Sequence, residues 1–337
     1  MDVHTVVVVT IVAALAFDVI NGFHDAANSI ATIVSTRVLS PRLAVLWAAF
    51  FNFVALWIFG TGVAKTISGI ITIKPDDHAF VWVVLCGLTG AITWNLLTWW
   101  WGLPSSSSHA LIGGVGGSGV AYAGFKVLVW KKIKLVMIFI LGAPLIGLLL
   151  GSAIMLLLSW VFRRWRPTKV DRVFRVGQLF SAGAYSIGHG GNDAQKTMGI
   201  IVAVMIAGGL LPAKGYQIPY WVEMASYAAM AFGTAIGGWR IVKTMGMGLT
   251  HLKPVGGFAA ETAGAITLGI VTFVYKAPVS TTHTITGAII GVGSTNKLRG
   301  IRWSLAGRIV WAWVFTIPAS FLVGFGCLKL AHALGAW

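Results

Sequence analysis

The chain reads as an all-α integral membrane protein of about ten to twelve helical elements, several of them half-length, built twice over on one pattern. Composition, apolar run length and a duplicated pair of polar strings predict this. Of the 337 residues, 57 % are hydrophobic and only 10 % are charged, whereas a soluble domain carries about 25 % charged residues. The apolar runs meet or approach the about 20 residues that a spanning helix needs. Finally, Asn21-Gly22-Phe23-His24-Asp25-Ala26-Ala27-Asn28 aligns with His189-Gly190-Gly191-Asn192-Asp193-Ala194-Gln195-Lys196, and Pro104-Ser105-Ser106-Ser107-Ser108-His109 aligns with Pro278-Val279-Ser280-Thr281-Thr282-His283. Asp25 precedes His109 by 84 positions and Asp193 precedes His283 by 90.

The first apolar run, 3–20, follows Met1-Asp2 with no basic stretch and no small-residue cleavage pattern. It is expected to be a retained helix rather than a signal peptide. A shorter stretch, 26–39, follows the first polar string. Runs at 43–64 and 79–101 come next, then the Ser-rich stretch 105–125 and a long run at 135–162. Residues 163–175 hold six basic residues against one acid. Positive residues in short connections mark the cytoplasmic side, so this segment is read as a basic cytoplasmic linker between a first transmembrane repeat, 1–162, and a second, 176–337. The second repeat begins with 176–190 and 194–211, on either side of the second polar string. Runs at 219–239 and 258–275 follow, then 279–293 behind Pro278, and 305–334. The formal charge of +16 lies in the breaks between runs rather than on a soluble face, which argues against nucleic acid and for a lipid membrane as partner. Cys86 and Cys327 both sit in apolar runs and imply no disulfide framework.

Nine carboxylic acids are present. Asp2, Asp76, Asp77 and Asp171 lie in terminal or loop-like sequence, whereas Asp18, Asp25, Asp193 and Glu261 lie within or beside apolar segments. A carboxylate at membrane depth costs several kcal/mol and marks an ion pathway or proton relay, unless it snorkels from a helix end. Asp25 and Asp193 occupy matching repeat positions. A repeated, Gly-interrupted polar pair in an apolar chain points to a transporter's central binding site.

Gly22, Gly190 and Gly191 are expected to let the backbone leave helical geometry. Its freed carbonyls, with Asp25, Asn21, Asn28 and Asn192, would offer hard oxygen ligands to a small cation, or a carboxylate would carry a proton. The alternative is that the glycines allow close helix packing, which leaves the paired Asp and Asn unexplained. Pro104 and Pro278 pre-set helical first turns. Ser105, Ser106, Ser107 and Ser108, with Ser280, Thr281 and Thr282, then put hydroxyls and free N–H groups at helix N-termini, an arrangement suited to a tetrahedral oxyanion. Ordinary capping explains one such residue, not two matched runs ending in His. His109 and His283, and with them Asp18, are read as either structural or pH-sensing; the two histidines could also orient the hydroxyl row.

These strings resemble the duplicated signatures of the inorganic phosphate transporter (Pit) family. Gly238–Gly246 and Gly257-Phe258-Ala259-Ala260-Glu261 also resemble that family's second half, so the likeness covers nearly the whole chain. It implies a homodimeric, inverted-repeat secondary transporter in the cell membrane that imports inorganic phosphate with a coupling cation and needs no other cofactor. Asp25 and Asp193 are assigned to the cation and substrate centre, with Asn21, Asn192 and Glu261 on the cation side. The hydroxyl strings, Asn28 and Gln195 are assigned to phosphate. No metal site is firm, Asp25 and Asp193 being ligands only if sodium is the coupling ion. Glu261 matches a carboxylate of that family's second half; its first-half counterpart, often Glu in sodium-coupled members, is read as Asn52 here, which with Trp94-Asn95-Leu96 is more like the bacterial, proton-coupled branch. Burial helps carboxyl groups exchange protons near neutrality, so proton coupling is expected over sodium. The resemblance also allows phosphate to enter as a metal–phosphate complex.

The competing reading within this fold is a sulfate permease. Phosphate still donates a hydrogen bond at neutral pH and sulfate does not, so acceptors facing the anion favour phosphate. An intramembrane Ser108/His109 hydrolase is disfavoured because neighbours on one helix do not point together. A passive anion channel would not concentrate an anion against an inside-negative potential.

Overall fold

A computed structural model describes residues 2–72, 78–296 and 300–336. Asp76 and Asp77 lie outside the described residues. Among these residues the chain forms twelve α-helices in two sets of six. The first set is α1 (Val3–Ser35), α2 (Pro41–Val54), α3 (Gly62–Ile67), α4 (Ala79–Trp101), α5 (Ser107–Ala123) and α6 (Trp130–Val161). The second is α7 (Pro167–Ala207), α8 (Tyr220–Ile236), α9 (Trp239–Val242), α10 (Pro254–Ile270), α11 (Thr281–Asn296) and α12 (Trp303–Ala333). Five segments are long and apolar enough to cross a membrane: α1, α4, α6, α12, and α10 extended to Tyr275.

The sets interlock. Helix α5 packs on α12 as α11 packs on α6, and α1 packs on α8 as α2 packs on α7. The four-residue spacing of Gly113 and Gly117 on α5 recurs as Gly287 and Gly291 on α11, 174 positions later. The first pair abuts the backbone of Ile317 and Phe321 on α12, and the second that of Pro144 and Leu148 on α6. Small residues on this spacing let two helix backbones approach closely in lipid, where packing rather than water exclusion holds helices together.

Helices α1 and α7 cross antiparallel at the centre. Asn21 reaches Asp193, Ser29 reaches His189, and Thr36 reaches Gln178. The N-terminal half of α1 shares one apolar cluster with the C-terminal half of α7. Their other halves share a second cluster. The duplicated strings lie between the two clusters, so the polar centre is sandwiched by apolar packing. Exposed Leu141, Leu145 and Leu149 on α6 and Trp311, Phe315 and Leu322 on α12 present an outer apolar surface for lipid.

Two expectations about local structure change here. The backbone does not unwind at Gly22, Gly190 or Gly191, since α1 and α7 run unbroken through both strings. A Cβ on Gly22 would lie 2.9 Å from Gly233 Cα, and one on Gly190 would lie 2.7 Å from Asn52 Cα. These glycines are contact points for α8 and α2. Away from water an opened turn would orphan backbone groups, and the polar side chains already find partners on neighbouring helices. The basic segment is also mostly helical: residues 162–166 connect α6 to α7, and 167–175 are the first turns of α7.

Candidate functional site

The two hydroxyl strings meet at the N-termini of α5 and α11. Ser108 Oγ lies 3.3 Å from the carbonyl of Val279, and the His109 and His283 rings are 4.7 Å apart, edge to face. Residues 105–109 and 280–283 are at most 3 % exposed. Ser106 Oγ accepts the His109 N–H at 3.4 Å and Ser280 Oγ accepts the His283 N–H at 3.2 Å. These two serines are therefore the helix caps, as one hydroxyl in each string is entitled to be. That leaves Ser107, Ser108, Thr281 and Thr282 turned to the neighbouring helices.

Each string is gripped from the opposite repeat. Asn28 Nδ2 donates to Thr281 Oγ1 at 3.2 Å and to Thr282 Oγ1 at 2.9 Å. Its repeat mate, Lys196, donates to Ser108 Oγ, and to the Val279 carbonyl at 3.3 Å. The acids stand behind. Ser107 Oγ donates to Asp25 Oδ2 at 2.9 Å, and His24 Nδ1 is 2.7 Å from Asp25 Oδ1. On the other side, Lys196 Nζ is 2.5 Å from Asp193 Oδ1, and Asn21 Nδ2 is 3.5 Å from Asp193 Oδ2. Lys196 and Asp193 are both fully buried, and an ion pair at that depth is tolerated because each charge cancels the other. Sequence reasoning assigned Lys196 no role. Its signal was a lysine inside the second string, aligned with Asn28.

Asp25, His189 and Asp193 each offer one ligand atom, all within 4.8 Å of one another. The partners of His189 fix which of its ring nitrogens carries the hydrogen. Thr234 Oγ1 donates to the Met230 carbonyl at 2.9 Å, so it accepts from Asn52 Nδ2 at 2.8 Å. Asn52 Oδ1 therefore faces His189 Nδ1, 3.3 Å away, and takes its hydrogen. His189 Nε2 is left 3.5 Å from Asp193 Oδ2, a lone pair beside a carboxylate, which suits an added proton or cation between them. Asn52 and Glu261 are not repeat mates, because α2 corresponds to α8 whereas Glu261 lies on α10, the mate of α4. Asn52 nonetheless reaches the acid centre, by setting the tautomer of His189.

Several expected site residues face elsewhere. Gln195 accepts from the Val63 N–H at 2.9 Å and donates to the Gly191 carbonyl at 2.6 Å, so it anchors α3 instead of facing the strings. Asn192 bonds Thr272 Oγ1 and the Ala277 carbonyl and accepts the Val279 N–H at 3.2 Å, which fixes the approach to α11. Ser105 pairs with Thr98 at 2.8 Å and lies 3.3 Å from His24. Glu261 forms a separate centre, accepting from Thr32 at 2.6 Å, Gln178 at 2.9 Å and Ser181 at 2.5 Å. His283 stacks on Trp313 at 3.8 Å, and its Nδ1 is 3.3 Å from the Ile140 carbonyl, so its ring is fixed by packing. Asp18 is buried with neither oxygen paired.

An all-α, multi-pass cell-membrane protein with matched helix N-termini converging on buried acids is a membrane transporter in its architecture. The chain belongs to the phosphate transporter family, whose profile, described as "Phosphate transporter family", matches residues 21–324. It is 54 % identical over 321 residues to a "Probable low-affinity inorganic phosphate transporter" of Rhizobium meliloti (strain 1021), covering 94 % of each chain. It is 44 % identical to a protein of the same description from Bacillus subtilis (strain 168), covering 96 % of this chain and 97 % of that one. In fold it matches a solved structure titled "The sodium-dependent phosphate transporter" with a TM-score of 0.90 and 23 % identity, covering 98 % of this chain and 99 % of that one. These relatives are transporters rather than enzymes, and none of them supports the sulfate reading.

Proposed function

We propose that the chain imports inorganic phosphate by symport with a cation, protons being the coupling ion. The observation that carries the reading is the meeting of two helix N-termini, each presenting hydroxyls, over a buried pair of acids. Phosphate placed between the strings would receive O–H and N–H bonds together with the positive ends of two helices. Lys196 adds a full charge beside Ser108. Asp25 and Asp193 would accept the hydrogen of a protonated phosphate, which sulfate lacks at neutral pH. The hydroxyls that now serve Asp25, Asn28 and Lys196 would be handed over to the substrate.

Three features favour protons over sodium. Asp193 already holds the Lys196 ammonium, which competes with any metal cation there. The cluster of Asp25, His189 and Asp193 includes a ring nitrogen, whereas hard cations prefer oxygen. His24 and His189 each set a ring nitrogen against a carboxylate oxygen of the two acids, an arrangement in which an imidazole can pass a proton. Entry of phosphate as a metal–phosphate complex is the alternative that the family resemblance allows.

The antiparallel crossing of α1 and α7 supports an inverted repeat, with alternating access as one repeat moves against the other. The homodimer rests on the family resemblance.

The test is counterflow of labelled phosphate in proteoliposomes, with unlabelled phosphate, arsenate and sulfate as competitors. Exchange blocked by phosphate and arsenate and untouched by sulfate is expected. Absence of phosphate exchange, or exchange blocked by sulfate at lower concentration than by phosphate, would overturn the phosphate assignment.

A further inference from the structure

Asp18 has no part in the phosphate geometry described above, yet it lies in the same layer of the molecule. Both of its carboxyl oxygens are buried without a hydrogen-bond partner, and so are Asn21 Oδ1 and Thr197 Oγ1. Asn21, three residues on along the same face of α1, and Thr197 on α7 are the polar side chains nearest to Asp18, close enough to act on its carboxylate but short of hydrogen-bond geometry. Asn21 bonds Asp193 through its Nδ2, so its side chain links Asp18 to the acid centre. Glu261, by contrast, receives three hydrogen bonds.

Counting donors shows what this group of atoms lacks. With Asp18 ionised, its two oxygens and Asn21 Oδ1 are all acceptors, and the Thr197 hydroxyl is the one donor among the unpaired atoms. A proton on Asp18 supplies a second donor, aimed at an amide oxygen or a hydroxyl. The charged and titratable groups facing Asp18 are Asp193 and Lys196 on α7 and Tyr227 on α8. The Tyr227 hydroxyl is also buried and unpaired, and Glu223 lies one turn before it, partly exposed near the start of α8. Glu223 and Tyr227, four residues apart, share one face of α8, and both Glu223 and Asp18 lie within electrostatic reach of the Tyr227 hydroxyl.

We propose that Asp18 is a proton-binding site of the transport cycle, loaded from the Glu223 and Tyr227 side and communicating with Asp193 through Asn21. Loading forms one O–H bond on the Asp18 carboxylate and takes one proton from water, unloading reverses this, and no electrons move. The proposal rests on the phosphate reading above.

The experiment compares wild type, Asp18→Asn and Asp18→Glu in proteoliposomes. The Asn variant keeps the shape but cannot release a proton. It is expected to retain phosphate counterflow, which needs no net proton movement, and to lose phosphate accumulation driven by a pH gradient. Asp18→Glu is expected to restore that accumulation. Wild-type accumulation in the Asn variant would overturn the proposal. Absence of counterflow in wild type would instead overturn the phosphate reading. Should the Asn variant not fold, a hydrophobic carbodiimide, which reacts with protonated carboxyl groups, is applied to wild-type protein. An adduct on Asp18 that weakens as pH rises is expected, and adducts on Asp25 and Asp193 with none on Asp18 would overturn the proposal.

Discussion

Each acid at the centre has a partner of its own kind. Asp25 is held by His24 and Ser107, whereas Asp193 is held by Lys196 and Asn21. The copies therefore share position but not charge: a neutral amide, Asn28, grips one string and an ammonium, Lys196, grips the other. Asp25→Asn and Asp193→Asn keep side-chain size and remove the carboxylate. Both are expected to reach the membrane and to transport little phosphate, measured as uptake normalised to surface protein; near-normal uptake by either would remove that acid from the mechanism. Ser107→Ala and Thr281→Ala each delete one hydroxyl and spare the backbone donors. A loss of about 1–2 kcal/mol in phosphate binding is expected for each by calorimetry. Unchanged binding would reduce the strings to helix starts.

At the scale of elements, the membrane decides which sequence signals matter. Glycine and asparagine in the two strings weaken a helix in water, but in lipid an opened turn has no solvent to take its amides. Helices α1 and α7 accordingly run straight through, and the missing Cβ atoms become seats for α8 and α2. The basic segment follows the same logic at the boundary. Its residues flank the end of α6 and open α7, with Lys169 over the Trp165 ring at 4.3 Å and Arg163 over Trp160 at 5.3 Å. Aromatic and basic residues together are the composition of a membrane interface, and on its positive charge the segment is expected to face the cytoplasm. Thr168 is exposed there. With Cys86 and Cys327 changed to Ala, Thr168→Cys is expected to resist an impermeant thiol reagent added outside intact cells. Ready labelling from outside would reverse the orientation.

Across the whole molecule, two interlocked sets of helices enclose one polar layer, which is closed to solvent in this structure. On the proposed reading, such a centre opens to either side as one set moves against the other. Coupling is the property this arrangement must settle. Phosphate uptake into proteoliposomes is expected to follow an imposed pH gradient in sodium-free buffer and to collapse with a protonophore. Uptake that appears only with sodium, and that ignores the protonophore at clamped voltage, would assign the Asp25, His189 and Asp193 cluster to a sodium ion.

Duplication, membrane class and the identity of the paired strings were legible in the residues themselves, because periodic apolar runs and repeated polar motifs are local patterns. The sequence by itself also determined that Asp25 and Asp193 are equivalent and that each hydroxyl string follows a proline. Only the tertiary structure decided which atoms meet. It set Gln195 on α3 and Asn192 on the approach to α11, because hydrogen-bond partners come from helices distant in the chain. It made Lys196 the cation of the centre, a role its alignment with Asn28 did not reveal. It also parted Asn52 from Glu261, since their helices belong to different places in the repeat, and joined Asn52 to His189. These assignments depend on how α1 and α7 cross, and a crossing is a property of packed helices rather than of either helix alone.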